Sequence, residues 1–176
     1  MHLFAKYVIV VSHSMIVAAV IPAHNESKHL KEVISKAQNF VDYVIVVDDG
    51  STDDTADIAK SFGGKVIALR HIVNLGKGAA LKTGCEAACR LMVDAIVCMD
   101  ADNQHKPEMI PQFVKTLQEK KVDIVFGMRQ FNTKMPFMML VGNQLLSKVI
   151  NVLFHMTIHD TQSGYRAITR QAFQKL

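Results

Sequence analysis

Short apolar runs of strand length alternate with segments of helical periodicity along this chain, and no other feature restricts its fold as much. The runs are Met15 to Ile21, Tyr43 to Val47, Lys65 to Leu69, Asp94 to Met99 and Val122 to Phe126. Between them Lys28 to Asn39, Thr52 to Phe62, Lys77 to Leu91 and Pro107 to Lys120 place their apolar residues at helical spacing. A βαβα succession of this kind predicts an α/β fold with a mostly parallel sheet, covered by helices on both faces. Local punctuation agrees: Ser51 or Thr52 can cap the second helix, Gly63 and Gly64 can end it, and Pro107 suits a first helical turn.

The chain has 176 residues, 49% of them hydrophobic, enough for one sizeable core and little more, so one domain is expected. Its organised part begins at Met15. That makes Met15 a candidate start and residues 1–14 an N-terminal extension, which is not expected to be a membrane anchor, because the apolar run Val8 to Val11 is too short to span a bilayer and no cleavage pattern follows it. Three cysteines and ten methionines suit a reducing compartment, either the cytoplasm or the cytoplasmic face of a membrane. A net charge of +4 with basic and acidic residues interspersed argues against a nucleic-acid partner and gives a membrane surface only modest support.

In a parallel sheet of this type the ligand binds beyond the carboxyl ends of the strands, so the residues after each strand are the ones to examine for chemistry. Three of those turns are loaded: Pro22-Ala23-His24-Asn25-Glu26, Asp48-Asp49-Gly50-Ser51 and Asp100-Ala101-Asp102-Asn103-Gln104. Asp100 and Asp102 stand two apart, which puts both carboxylates on one side of an extended chain. Such a pair, with Gln104 as a neutral oxygen donor, suits Mg2+ or Mn2+ chelated to a substrate diphosphate; capping of the helix at Pro107 is the alternative. Asp48 and Asp49 suit base or ribose donors, and equally a turn leading into a helix. Glu26 suits ribose hydroxyls, or the positive end of the following helix.

Asn74-Leu75-Gly76-Lys77-Gly78 permits close backbone approach and supplies a positive charge, but it lacks the full phosphate-loop spacing. The glycine fingerprint of dinucleotide-binding folds is also absent after the first strand. Those two absences count against a P-loop nucleotidase and a dinucleotide-dependent oxidoreductase. Arg129 and Arg166 can each grip phosphate in fork geometry, or serve as surface residues. His155 and His159 share a helical spacing without a third zinc ligand, and Cys85 and Cys89 read as small core residues.

Together these segments, with Asp160-Thr161-Gln162-Ser163-Gly164-Tyr165-Arg166, resemble the family 2 glycosyltransferases, and most closely their dolichyl- or polyprenyl-phosphate hexosyltransferase branch. The resemblance implies a Rossmann-like family-A glycosyltransferase fold shortened at its C-terminus, with a nucleotide-binding part over 15–104 and an acceptor-side part over 105–176. It implies that Pro22, His24 and Glu26 border the nucleoside and that Asp49 contacts the base. Asp48, Lys77 and Ala101 complete the nucleotide-sugar set. Asp100, Asp102 and Gln104 would hold the metal, with Asp102, Arg129 and Arg166 at the reacting centre and Asp160 with Arg166 on the acceptor side. Where His24 stands the family commonly has an aromatic residue, and where Asn103 stands a glycine. The family usually continues beyond a position such as Leu176, which leaves a partner subunit or an oligomer as an expectation.

The implied reaction is inverting transfer of a hexose from a UDP- or GDP-linked donor to a lipid-linked phosphate or another glycan acceptor. Two rivals stand beside it. A sugar nucleotidyltransferase would carry a glycine-rich basic loop where Pro22 to Glu26 stand, and a non-catalytic nucleotide-sugar-binding subunit would bind without turnover. Pro136 to Phe154 is expected to form an amphipathic helix with Leu145, Leu146, Val149, Ile150 and Leu153 on its apolar side; that stripe suits a bilayer surface, and equally the domain's own core, the commoner fate of such helices.

Overall fold

A computed structural model describes residues 14–127 and 164–175. Six strands form one sheet in the order β3-β2-β1-β4-β6-β5: β1 (Val17–Ala23), β2 (Tyr43–Asp49), β3 (Val66–His71), β4 (Ala95–Cys98), β5 (Ile124–Phe126) and β6 (Arg166–Thr169). β1 to β4 pair in parallel, and β6 runs antiparallel to both β4 and β5. The helices are α1 (Leu30–Ala37), α2 (Thr55–Phe62), α3 (Lys77–Arg90), α4 (Ile110–Lys120) and a short α5 (Arg170–Phe173), with a 3-10 turn at Pro107–Met109 leading into α4.

The period of two along β1 divides the interior in two. Ala19, Ile21 and Ala23 face one layer, where they meet Leu30, Val33 and Ile34 of α1, Ala59 of α2, and Ile110, Phe113 and Leu117 of α4. Ala18 and Val20 face the other, where they meet Ala80, Cys85 and Ala88 of α3. In α1 the buried positions Leu30, Val33, Ile34 and Ala37 form one stripe, while Glu32 and Lys36 pair at 2.6 Å on the open side. Gly84 lets α3 lie directly on the sheet, because a Cβ there would run into the Val20 side chain and approach Val47 to 3.1 Å.

Two details differ from the sequence expectation. α2 begins at Thr55 rather than Thr52, and neither Ser51 nor Thr52 caps it. Asp53 serves its first turn instead, its Oδ1 accepting from the Thr55 N–H at 3.0 Å and the Thr55 hydroxyl at 2.5 Å. The second is β6, which has only four residues, begins on an arginine, and pairs from Arg166 with both Cys98 and Phe126. Gly63, with φ +59°, ends α2 as expected. β2 and β4 lie on opposite sides of β1, so the connections diverge there and leave a crevice at the carboxyl edge.

Candidate functional site

The loops after β1 and β2 are knitted together by side chains. Asn25, at φ +56°, donates its backbone N–H to Ser51 Oγ at 2.9 Å and accepts the Thr52 N–H on Oδ1 at 2.9 Å. The Glu26 N–H reaches Thr55 Oγ1 at 2.9 Å, and the Ser27 N–H reaches Asp53 Oδ2 at 3.1 Å. Burial on its own would raise the Asp53 pKa, but the hydrogen bonds from Thr55 and Ser27 outweigh it and hold the carboxyl far below the usual carboxylate range. His24 Nδ1 donates to the Asp49 carbonyl at 2.8 Å. This network presents the edges of Pro22, His24 and Glu26 to one side.

Register decides the different fates of the two neighbouring acids at the end of β2. Asp48 pairs with Arg70 and Asp49 with His71 across the β2–β3 ladder, and successive side chains point to opposite faces. Asp48 is buried; its Oδ1 accepts the Ser51 N–H at 3.1 Å, and Arg70 Nε stands 3.1 Å from its Oδ2 as an ion pair without hydrogen-bond alignment. Asp49 faces the other way. Its Oδ1 meets His71 Nδ1 at 2.7 Å and the Leu75 N–H at 3.0 Å, and its Oδ2 accepts the Gly76 N–H at 2.8 Å. Burial would raise the Asp49 pKa, but the Leu75 N–H, the His71 imidazole and the Gly76 N–H together hold it below its ordinary value. His71 in turn reaches Thr83 Oγ1 on α3 at 3.0 Å.

This anchoring pins the loop before α3 against the β2 turn. Gly50, at φ +68°, is where the two segments touch, since a Cβ there would lie 2.6 Å from the Asn74 backbone nitrogen. Gly76 and Lys77 then open α3 toward the crevice. Lys77 Nζ lies 2.5 Å from Asp100 Oδ1.

The acidic turn after β4 is held from below. The Asp100 N–H donates to His105 Nδ1 at 2.9 Å, and the His105 ring stacks on Tyr165 with centroids 4.8 Å apart. Tyr165 donates its hydroxyl to the Lys106 carbonyl at 2.7 Å and packs on Phe113, which fastens the chain entering β6 to this turn. Asp102 Oδ1 accepts the Gln104 N–H at 3.0 Å. Asn103 adopts φ +62°, a conformation open to glycine and tolerated by asparagine, which accounts physically for that residue in a place where glycine is common.

These turns enclose a cleft of about 340 Å³, within the usual size range of small-molecule sites. Pro22, His24, Glu26, Asp49, Lys77, Asp100, Ala101 and Asp102, all expected from sequence, line it, joined by Ala23, Asn74, Gly76 and Ala80. Among the described residues, three expected ones are not in its lining. Asp48 is turned to Arg70, and Gln104 is exposed beyond the turn. Arg166 shares the face of β6 with Ile168, toward the α3 layer and beside Cys98. Arg129, Asp160, the segment 136–154, His155 and His159 lie outside the described residues.

His71 escaped the sequence argument although it follows an apolar run in the same way as Asp48 and Asp49. Strand-end position was its available signal. Cys85 and Cys89 sit in or against the α3 core as expected, with Cys85 Sγ 3.8 Å from Cys98 Sγ. Among the described residues no group of three His, Cys, Asp or Glu side chains could hold a metal ion, and no helix is long and apolar enough to cross a membrane.

A mostly parallel sheet with a switch point, and a polar cleft over it that carries two acids from one turn, defines an α/β ligand-binding scaffold. The chain belongs to glycosyl transferase family 2, whose family model matches residues 18–176, and it is a glycosyltransferase. It is 36% identical, over 89% of its length and 70% of the relative's, to the UDP-N-acetylglucosamine–dolichyl-phosphate N-acetylglucosaminyltransferase of Methanococcus voltae. It is 27% identical, over 89% of its length and 63% of the relative's, to the polyprenol monophosphomannose synthase of Mycolicibacterium smegmatis. A structure of glucosyl-3-phosphoglycerate synthase from Mycobacterium tuberculosis, in complex with Mn2+, UDP and glucosyl-3-phosphoglycerate, superposes with a TM-score of 0.70 at 25% identity. That match covers 89% of this chain and 57% of the solved one, so the chain spans little more than half of that structure. The fold is of the family-A glycosyltransferase kind expected from the sequence.

Proposed function

We propose that the cleft binds a nucleotide diphosphate sugar together with a divalent cation, and that the protein transfers the hexose, with inversion, to a lipid-linked phosphate. The observation that carries this reading is the meeting of Glu26, Asp49, Lys77, Asp100 and Asp102 around one volume at the carboxyl edge of the sheet. In this reading Glu26 and His24, both in the cleft lining, border the nucleoside, and Lys77 with the positive end of α3 receives the diphosphate.

The donor set fits a hard cation. Two of the carboxylates that border the cleft, Asp100 and Asp102, come from one turn, and the charge of Asp100 is already met by an ammonium, so its surroundings favour a cation beside it. Asp100 and Asp102 would supply the protein oxygens, and diphosphate oxygens and water the rest. Bound there, the ion supplies Lewis acidity to the departing diphosphate. The chain's own part is electrostatic and positional: Lys77 offsets charge that grows on the leaving group, and Asp49 holds the Leu75–Gly76 backbone that brings Lys77 into place. Its carboxylate, which already receives three donors, acts on the nucleoside through that loop.

A phosphate acceptor is substantially ionised at neutral pH, its second pKa being about 6, so it needs no strong general base. The M. voltae and M. smegmatis relatives carry dolichyl-phosphate and polyprenol in their names, which supports such an acceptor here. Beside the cleft, Ile72, Val73 and Leu75 are exposed, Ile72 at 99%, and a bilayer holding the acceptor would cover them. Incubation with radiolabelled UDP-GlcNAc, UDP-glucose or GDP-mannose and dolichyl phosphate tests the reading. Organic-extractable label that depends on Mn2+ or Mg2+ and carries the inverted anomer supports it. Absence of transfer to dolichyl phosphate with every donor, despite nucleotide binding, overturns the lipid-phosphate acceptor.

A further inference from the structure

Asp100 lines the cleft with three close neighbours. Lys77 Nζ sits 2.5 Å from its Oδ1, and His105 Nε2 stands 4.0 Å from its Oδ2. Above them, a Cβ on Gly164 would lie 3.0 Å from both Asp100 oxygens and 3.2 Å from Lys77 Nζ. The ammonium therefore holds the position on Asp100 Oδ1 that a ligated cation would take. Lys77 can leave it: its side chain is 54% exposed, on a flexible four-carbon stem at the first turn of α3.

We propose that Lys77 is a stand-in cation for the acidic turn. Without donor its ammonium holds Asp100 in place; a divalent ion reaches Asp100 only as Lys77 departs, and the diphosphate that enters with the ion receives the released ammonium. This rests on the reading of Asp100 and Asp102 as metal ligands. It goes beyond that reading by making ion and nucleotide binding mutually reinforcing, with Lys77 as the coupling element. The ion alone binds weakly because it must break an ion pair. The nucleotide relieves that penalty by giving Lys77 a new partner.

The test is Mn2+ binding by the whole chain, read from the electron paramagnetic resonance signal of the free ion, alone and with UDP or GDP. Lys77→Met is expected to bind Mn2+ alone about fivefold more tightly than the wild type, the scale of one lost surface ion pair. The enhancement of Mn2+ binding by nucleotide should shrink at the same time. Lys77→Arg keeps the charge and should stay near the wild type. Lys82→Met removes a lysine from the same helix, one that stands 3.9 Å from Glu86, and should also leave Mn2+ binding near the wild type. Unchanged or weaker binding in Lys77→Met overturns the proposal, as does equal tightening in Lys82→Met, which would reduce it to overall charge. Wild-type chain that binds no Mn2+ even with nucleotide overturns the metal reading itself, an outcome distinct from the first.

Discussion

The Asp49 carboxylate and the Gly76 N–H, 27 residues apart in sequence, are joined by a hydrogen bond of 2.8 Å, and through it the end of β2 fixes the loop that opens α3. The same carboxylate takes the Leu75 N–H and His71, so one acid positions a strand end, a loop and a helix start. Asp49→Ala should lower stability by about 1–3 kcal/mol, because the part-buried Leu75 and Gly76 N–H groups and His71 lose their shared acceptor. It should weaken nucleotide binding as well. Urea denaturation and calorimetric titration check both, and a variant with wild-type values in each would remove Asp49 from this role.

Acid should weaken the fold through Asp49 and Asp53. Both carboxyls titrate lower in the folded chain than in the unfolded one, where an aspartate has a pKa of about 3.9. The unfolded state therefore binds more protons, and stability rises with pH through this region. Their contribution is fully present above the unfolded value and is lost as the pH falls through the folded values. Urea midpoints measured downward from pH 6 should fall most steeply below about pH 4, and Asp53→Asn should flatten that fall. An equal slope in the variant would show that Asp53 carries none of it.

Gly50→Ala and Gly64→Ala separate backbone strain from contact. Both glycines have positive φ, +68° and +60°, so each substitution carries the left-handed penalty of roughly 1–2 kcal/mol. Only at Gly50 would the new methyl meet the Asn74 backbone; around Gly64 nothing lies within 4 Å. Gly50→Ala should therefore lose more stability than Gly64→Ala and also lose nucleotide affinity. Equal losses, with nucleotide binding intact, would show that the loop yields freely.

Ile72→Asp places a charge at the most exposed apolar side chain beside the cleft. Co-sedimentation with anionic vesicles should fall several-fold relative to the wild type, while nucleotide binding in solution stays unchanged. Unaltered sedimentation would place the membrane contact elsewhere.

The nucleotide half of the fold was legible because its information is local. Short apolar runs alternating with helical periodicity marked β1 to β4, and the turns after the strands, with the glycine-lysine loop before α3, held eight of the expected cleft residues. What stayed hidden depends on pairing between distant segments. β6 is short and begins on Arg166, so its place between β4 and β5 follows from a ladder that composition does not announce. The divergent roles of Asp48 and Asp49 follow from their register against Arg70 and His71, which neither acid's own neighbours encode. The start of α2 shifted because Ser51 and Thr52 are engaged by Asn25 across the loops, and Asp53 took over its first turn.

Donor affinity in the presence and absence of Mn2+, in the wild type and in Asp102→Asn, tests the metal-assisted cleft most directly. The substitution keeps an oxygen that can accept the Gln104 N–H, and with it the turn, but removes the negative charge. A nucleotide sugar is expected to bind the wild type at least about tenfold more tightly with Mn2+ than with chelator, a coupling of about 1.4 kcal/mol. In Asp102→Asn that difference should vanish while the melting temperature without ligand stays near the wild type. Undiminished Mn2+-dependent binding by the variant would contradict the assignment of this acidic turn to the metal.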